Sequence, residues 1–255
     1  MALPRFLVDR LESQGSLQLQ EAESHHAARV LRMGVGDPCM LFDGNGHEAY
    51  GEIESVDKKS VRVTYHSRLF APRDHDGKLH FGIAMPKGDR QRNVIEKLVE
   101  LGVDRLTPLQ TDRSVSKFDS AAIERLERYS IEACKQSHRN RLMQVDPSCT
   151  WEEWLTQVCS NKTESLWVLH PAHSDGRQDD TVAVSSESFL AADVIHSGRL
   201  VFAVGPEGGF TTSEIAQAVQ NGFGVLGLGQ RILRVETAVS FAAVLGSLRI
   251  SSKPE

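Results

Sequence analysis

The feature that most constrains this chain lies between residues 200 and 238. The apolar run Leu200-Val201-Phe202-Ala203-Val204 leads directly into Gly205-Pro206-Glu207-Gly208-Gly209-Phe210. Thr211 to Glu214 then supplies the Thr-x-x-Glu spacing of a helix capping box. Strand, glycine-rich turn and helix in immediate succession form half of an α/β unit, and in open α/β sheets ligands bind beyond the carboxyl ends of strands. Three glycines within five residues let backbone approach a ligand closely and adopt positive φ; a tight strand-to-helix turn accounts for one or two of them. The succession then repeats. Residues 225–228 read as a strand. Gly229-Gln230-Arg231-Ile232-Leu233-Arg234-Val235-Glu236-Thr237-Ala238 follows as a loop that sets two apolar residues between arginines. Residues 237–248 make a helix apolar nearly all round, which must bury itself against the sheet or another subunit.

The same alternation extends back to residue 79. Residues 79–85 read as a strand. Asp89 starts a helix with an apolar stripe of Val94, Ile95, Leu98, Val99 and Leu101, Gly102 closes it, and residues 103–109 are the next strand. This βαβ unit implies a parallel pair. A long helix follows over residues 120–138, and residues 166–169 add a strand. The first 70 residues follow a different pattern. Phe6-Leu7-Val8, Met40-Leu41-Phe42 and Glu48-Ala49-Tyr50 are short strand-like runs, with a turn at Asp43-Gly44-Asn45-Gly46. Ile53, Val56, Val61, Val63 and Tyr65 continue the pattern around Asp57-Lys58-Lys59. One helix interrupts it, with Ala27, Val30, Leu31 and Met33 on a shared face and Gly34 as its cap. A small β-barrel with one helix fits. The polar stretch 71–77 is the linker, which divides the chain into residues 1–72 and 73–255.

Several function classes drop out. No apolar run approaches the ~20 residues that span a bilayer, and residues 1–5 lead into no apolar signal region, so no membrane partner and a cytoplasmic location are expected. The four cysteines, Cys39, Cys134, Cys149 and Cys159, lack zinc or thioredoxin spacing and read as free thiols. Gly222-Phe223-Gly224-Val225-Leu226-Gly227 matches G-x-G-x-x-G, but its glycines end a helix and enter a strand, the reverse of a dinucleotide fingerprint. His170-Pro171-Ala172-His173 has no third ligand at suggestive spacing, so no metal is expected. The net charge of −5 argues against general nucleic-acid affinity, yet residues 73–145 carry 14 basic and 11 acidic side chains. A local basic face can hold phosphates on an acidic protein. Lys135-Gln136-Ser137-His138-Arg139-Asn140-Arg141, with Lys87, Arg90, Arg92 and Arg113, supplies such a face in the middle of the chain. His25-His26-Ala27-Ala28-Arg29-Val30-Leu31-Arg32 supplies another near its start. Arginine forks suit phosphate, and His and Asn can read unpaired bases.

Taken together these motifs resemble the RsmE family, which methylates N3 of a uridine in 16S ribosomal RNA and belongs to the knotted SPOUT methyltransferases. The resemblance runs through Pro4-Arg5-Phe6, His25-His26 to Arg32, Lys87-Gly88-Asp89-Arg90, Glu96-Lys97, Glu100-Leu101-Gly102-Val103, Arg113-Ser114, Glu132-Ala133, Gln136-Ser137 and Arg139-Asn140-Arg141. Gly205 to Gly209 and Arg231-Ile232-Leu233-Arg234 with Glu236-Thr237 complete it. Three positions depart: the family usually has Gly where His138 stands, Pro where Gln230 stands and Thr where Val235 stands.

The resemblance implies an α/β fold, a SPOUT-type parallel sheet with a C-terminal trefoil knot, preceded by a small PUA-like β-barrel that binds RNA. It implies a homodimer, with 16S ribosomal RNA or the small ribosomal subunit as partner. S-adenosylmethionine (SAM) would be held by Leu169, His170 and Pro171, by Gly205, Glu207, Gly208 and Gly209, and by Leu228, Gly229, Ile232, Leu233, Thr237 and Ala238. The RNA-facing set is Arg5, His25, His26, Arg29, Arg32, Arg90, Arg113, Gln136, Arg139, Asn140 and Arg141. Uracil N3 becomes a good nucleophile only without its proton, so a base or an anion-stabilising group is required. Arg234 is the choice to neutralise the oxygen beside N3, and Glu236 is either the base or a helix cap. Two alternatives stay open: a related SPOUT enzyme acting on transfer RNA or a ribose 2′-hydroxyl, and a non-catalytic RNA-binding assembly factor.

Overall fold

The computed structural model describes residues 3–75, 77–160, 164–171, 183–191 and 199–250; Ala172 and His173 of the rejected metal motif lie outside them. The chain forms two compact units, Met1–Asp74 with Ile131–Leu142, and His75–Ser130 with Met143–Glu255.

The first unit carries β1 (Arg5–Leu7), β2 (Gly15–Gln18), β3 (Pro38–Phe42), β4 (His47–Val56), β5 (Val61–Tyr65) and β6 (Leu69–Phe70). Their order is β1-β3-β4-β5-β2, with β6 against β4; β1 runs parallel to β3 and the other pairs are antiparallel. Along β4 the buried Ala49, Gly51 and Ile53 alternate with the exposed Tyr50, Glu52 and Glu54, the period of a half-buried strand. The inward side chains join Phe6, Leu11, Leu19, Leu41 and Val63 in one core. The β3–β4 turn closes on Asp43, whose Oδ1 accepts the backbone N–H groups of Asn45 and His47.

The single helix differs from the sequence expectation. It is a short α-helix, α1 (Glu21–His25), that widens into a π-helical turn over His26–Val30. Leu31 N–H reaches back to His26, and Met33 N–H to Ala27. The extra residue per turn breaks the i, i+3, i+4 stripe, so Ala27 and Met33 are buried while Val30 and Leu31 face out. Arg32, not Gly34, takes the left-handed conformation after it, at φ 57°.

The second unit holds a parallel sheet of β7 (Lys78–Ile83), β8 (Arg105–Gln110), β9 (Gln144–Val145), β10 (Cys149–Thr150), β11 (Glu164–Leu169), β12 (Val184–Ser185), β13 (Arg199–Val204) and β14 (Gly224–Gly227). The order is β10-β8-β7-β13-β11-β14-β12, with β9 beside β8, and every pairing is parallel. Around it lie α2 (Arg90–Glu100), the start of α3 (Ser120–Ser137), α4 (Trp151–Cys159), α5 (Ser186–Ala191), α6 (Thr212–Gln220) and α7 (Val235–Ile250). β7 and β13 are buried almost end to end, as central strands of a sheet covered on both faces must be. Trp151 and Trp154 of α4 seat fully buried. Gly82 makes room for the second: a Cβ there would lie 2.4 Å from the Trp154 ring. Gly222 ends α6 and Gly224 opens β14, so the G-x-G-x-x-G match is a helix-to-strand turn, with Gly224 leaving room for Trp167. α7 buries Val235, Val239, Ala242, Ala243, Leu245 and Gly246, while Phe241, Val244 and Leu248 stay exposed.

One polar chain crosses the buried face. Thr107 Oγ1 donates to Asp146 at 2.5 Å, and Arg105 Nε donates to the same carboxylate at 2.7 Å. The Thr107 hydroxyl has one proton, so His80 Nε2, 2.8 Å away, is the donor to it. His80 Nδ1 is then a bare, buried acceptor without a partner. Burial, with Arg105 adding to it, pushes the His80 pKa down to about 3 from an ordinary 6.5.

Two predictions follow from local geometry. Above about pH 6.5 His80 is neutral folded and unfolded alike. Below it the unfolded chain binds a proton that the fold refuses until about pH 3, so stability falls as pH falls through that window. The native protein is expected to lose roughly 2 kcal/mol between pH ~7.5 and pH ~5 that a His80→Phe variant does not lose, measured by urea unfolding at both pH values. His138 follows α3 at φ 60°, a conformation that costs an L-residue about 1 kcal/mol or more and glycine nothing. His138→Gly is expected to raise the unfolding free energy by up to about 1 kcal/mol, and His138→Val to lower it.

Candidate functional site

A parallel sheet gathers the carboxyl ends of its strands along one edge, so the loops after β8, β11, β13 and β14 share that edge. There they enclose a cavity of about 750 Å³, within the size range of small-molecule sites. The loop after β13 is its floor. Gly209 N–H closes a turn onto Pro206 O at 2.8 Å, with Gly209 in the left-handed region at φ 68°. A Cβ at Gly205 would press on Phe210 N at 3.0 Å, so the turn folds this tightly only with glycine. Two cations brace it: Arg90 Nη2 meets Glu207 Oε1 at 2.6 Å, and Arg113 Nη1 donates to Gly208 O at 2.7 Å. Thr211 and Glu214 form the capping box read from sequence, and Glu214 also accepts the Asp112 N–H, which fastens the loop after β8 to α6. The loop after β14 turns at Gly229, φ 103°, and ends where the Arg234 carbonyl accepts the N–H groups of Thr237 and Ala238 at the start of α7.

The cavity brings together Leu169, His170 and Pro171 from β11, Gly205, Glu207, Gly208 and Gly209 after β13, and Leu228, Gly229, Ile232, Leu233 and Ala238 around β14 and α7. Thr237, Arg234 and Glu236 are outside its lining, although Val235 between the last two is on the wall. Glu236 Oε2 is buried and meets no hydrogen-bond donor. The lining also includes Pro206, Phe210, Arg231 and Val235, which lie within the loop segments read from sequence, and Val204 and Thr212, which sequence reasoning did not name for the cofactor. Val204 directly precedes the glycine loop and Thr212 follows it by three positions, at the start of α6. Arg113 is different: it was expected on an RNA face and lies on the cavity wall, because β8 ends on the same edge as β13. Among the described residues no cluster of three His, Cys, Asp or Glu side chains could hold a metal ion.

The expected RNA-facing set divides. His25, Arg29, Arg32 and Gln136 are exposed, and His26, Arg90 and Arg141 partly so. Arg5, Arg139 and Asn140 are corrections, because each is buried inside the first unit against partners of its own. Arg5 lies against Glu48, whose two oxygens also take both Nη groups of Arg73, at 2.6 and 2.8 Å. That bidentate pairing holds the Glu48 carboxyl below its usual range. Arg139 Nε meets Asp74 at 2.6 Å. Asn140, with no exposed surface, donates to the carbonyls of Gly46 and Ala71. A guanidinium so enclosed needs a carboxylate beside it, and burial keeps it from phosphate. The thiols of Cys39 and Cys149 are pushed up by burial to about 12 and about 11, which keeps them unreactive. Among the described residues no helix is long and apolar enough to cross a membrane.

Comparison with known proteins identifies the family. Residues 73–246 match the model of an RNA methyltransferase domain, and residues 19–64 that of an RNA methyltransferase PUA domain. The chain is 29% identical to ribosomal RNA small subunit methyltransferase E of Bacillus subtilis, covering 91% of this chain and 90% of that one. It is 30% identical to the protein of that name from Synechocystis, over 90% of this chain and 72% of that one. A Legionella pneumophila structure in complex with SAM superposes with a TM-score of 0.84 at 30% identity, covering 97% of both chains. Ribosomal RNA small subunit methyltransferase E of Neisseria gonorrhoeae, bound to SAM, gives 0.82 at 27% identity over 95% of this chain and 96% of that one. With the paired domains, the glycine loop and the cavity at the strand ends all in place, the chain belongs to the ribosomal RNA small subunit methyltransferase E family.

Proposed function

We propose that this protein transfers the methyl group of SAM to N3 of a uridine in 16S ribosomal RNA, working in the cytoplasm as a homodimer on the RNA or the small subunit. The observation that carries the reading is the convergence of three loops, after β11, β13 and β14, on one cavity. Its wall fits the cofactor: Leu169, Val204, Leu228 and Leu233 offer apolar surface to an adenine, and the glycines leave backbone open to polar groups. The trefoil knot that the family resemblance implies belongs to this proposal. So does the dimer, for which the exposed Phe241, Val244 and Leu248 of α7 supply an apolar face. Phe241→Glu is expected to yield monomers in sedimentation equilibrium; an unchanged mass would remove α7 from the interface.

Bound SAM supplies a methyl group on a positively charged sulfonium, ready for in-line displacement. The chain's own share is to orient the base and take its proton, and orientation alone is worth roughly 7–11 kcal/mol. Glu236 is the proton acceptor in this proposal: its buried Oε2 without a donor stands one residue from the cavity wall. Arg234 neutralises the uracil oxygen beside N3 as the proton leaves. The uridine must be unpaired or flipped, since N3 lies on the pairing edge.

Single-turnover methylation of 16S RNA from a strain lacking the enzyme, with mass mapping of the product, tests the reading. The methyl group is expected on uracil N3; a methyl on the ribose, or no transfer to 16S RNA while transfer RNA assayed in parallel is methylated, would replace it with the related SPOUT activities. Arg234→Ala is expected to slow transfer about 10²–10³-fold with little change in SAM affinity, and Arg234→Lys to recover part of the rate. Loss of SAM affinity with an unchanged rate at saturation would reduce Arg234 to a loop-shaping residue. Glu236→Gln is expected to slow transfer as well, with SAM affinity retained.

A further inference from the structure

Two residues of the first unit that no assignment above covers, His47 and Phe70, cluster with Arg141 of the expected RNA-facing set. β6 is two residues long, and its pairing with β4 puts Phe70 opposite His47 on one face. The two rings stand 5.1 Å apart, tilted by 56°. Phe70 is nevertheless 61% exposed. The Arg141 guanidinium lies over the same ring, 5.7 Å from its centre. A lone exposed phenylalanine needs no explanation; this one is held in place from several sides. Gly46 sits at φ 99°, and a Cβ there would come within 3.0 Å of the Phe70 ring and 3.2 Å of Arg141 Nε. Asp43 fixes His47 twice, through its backbone N–H and through Nδ1 at 2.8 Å. Arg141 is anchored by a backbone bridge to Asn45 and by Asp74 at 3.8 Å.

A fixed, exposed aromatic ring flanked by an imidazole and an arginine has the chemistry of a platform for an unpaired nucleotide. Every base has a π-face to lay on the ring, and guanidinium groups suit the adjoining phosphate. Duplex RNA keeps its bases stacked and offers no such face. We propose that Phe70, framed by His47 and Arg141, is a stacking site for a single unpaired nucleotide of the RNA substrate, in the unit that carries no cofactor loop. This rests on the RNA methyltransferase reading and adds to it a residue and a mode of contact.

The test uses the full-length protein and fluorescence anisotropy with a labelled single-stranded oligouridylate and with a blunt RNA duplex of the same length. Phe70→Ala and Phe70→Leu are each expected to weaken single-strand binding about fivefold or more, and Phe70→Trp to keep it. Duplex binding, SAM affinity and thermal unfolding should stay as in the native protein. In the unsubstituted protein, a 5-iodouridine oligonucleotide should photocrosslink at Phe70, read by mass spectrometry. The proposal is overturned by native affinity in Phe70→Ala, by Phe70→Leu behaving as native, by an equal loss on duplex, or by crosslinks that map only elsewhere. Failure of the parent reading looks different, because the unsubstituted enzyme would then leave ribosomal RNA unmethylated whatever stands at position 70.

Discussion

The parallel pairing of β7 with β13 is the constraint from which the second unit follows. It sets Lys78 beside Arg199 and runs unbroken to Ile83 beside Val204, joining segments far apart in the chain. The strands flanking them, β8 and β11, pair parallel as well, so all four end on the same edge. Arg113, His170, the glycine turn and the Gly229 loop are thereby collected without any of them being near in sequence. The sheet holds the pair by burial on both faces. Trp154 packs over Gly82 on β7, while α7 brings Gly246 within reach of Leu79 and Phe202. Each glycine is there because a methyl group would hold the layers apart.

Charge is handled differently in the two units. In the first, carboxylates are buried to hold arginines: Glu48 between Arg5 and Arg73, and Asp74 against Arg139. These pairs join β1, β4 and residues 139–142 through groups that would be costly to leave alone. In the second, the cations that matter most for the cavity remain half open. Arg90 and Arg113 brace the glycine turn through Glu207 and the Gly208 carbonyl while keeping exposed surface of their own. In the buried polar chain from His80 to Asp146 the histidine stays neutral: Nε2–H donates to Thr107, whose hydroxyl donates to Asp146, and burial disfavours a second proton on Nδ1.

Much of this was legible in the residues alone. The succession of apolar run, glycine cluster and capping box at 200–214 dictated strand, turn and helix, because each is governed by interactions within a few positions. The alternation in β4 and the stripe on α2 were legible for the same reason. β2, α4 and α5 were not. Gly15–Gln18 holds one apolar residue, and α4 is marked chiefly by two tryptophans and a cap, Thr150 with Glu153, that is easily passed over. The π-helical turn at His26–Val30 defeated the helical count, since it inserts a residue where periodicity assumes none.

What the sequence determined by itself was local: which segments are strands and helices, where glycine must stand, and that two strand-end loops are built for a ligand. What only the tertiary structure decided was which charges are free. Arg5, Arg139 and Asn140 look as available for RNA as Arg29 or Arg32, and Arg113 looks like one more basic residue. Their fates differ because a side chain's partner is set by what the fold brings beside it. Glu48 meets Arg5, Asp74 meets Arg139, and the Gly208 carbonyl meets Arg113 across the sheet edge. Pairing of that kind depends on distances in space, which sequence separation does not fix.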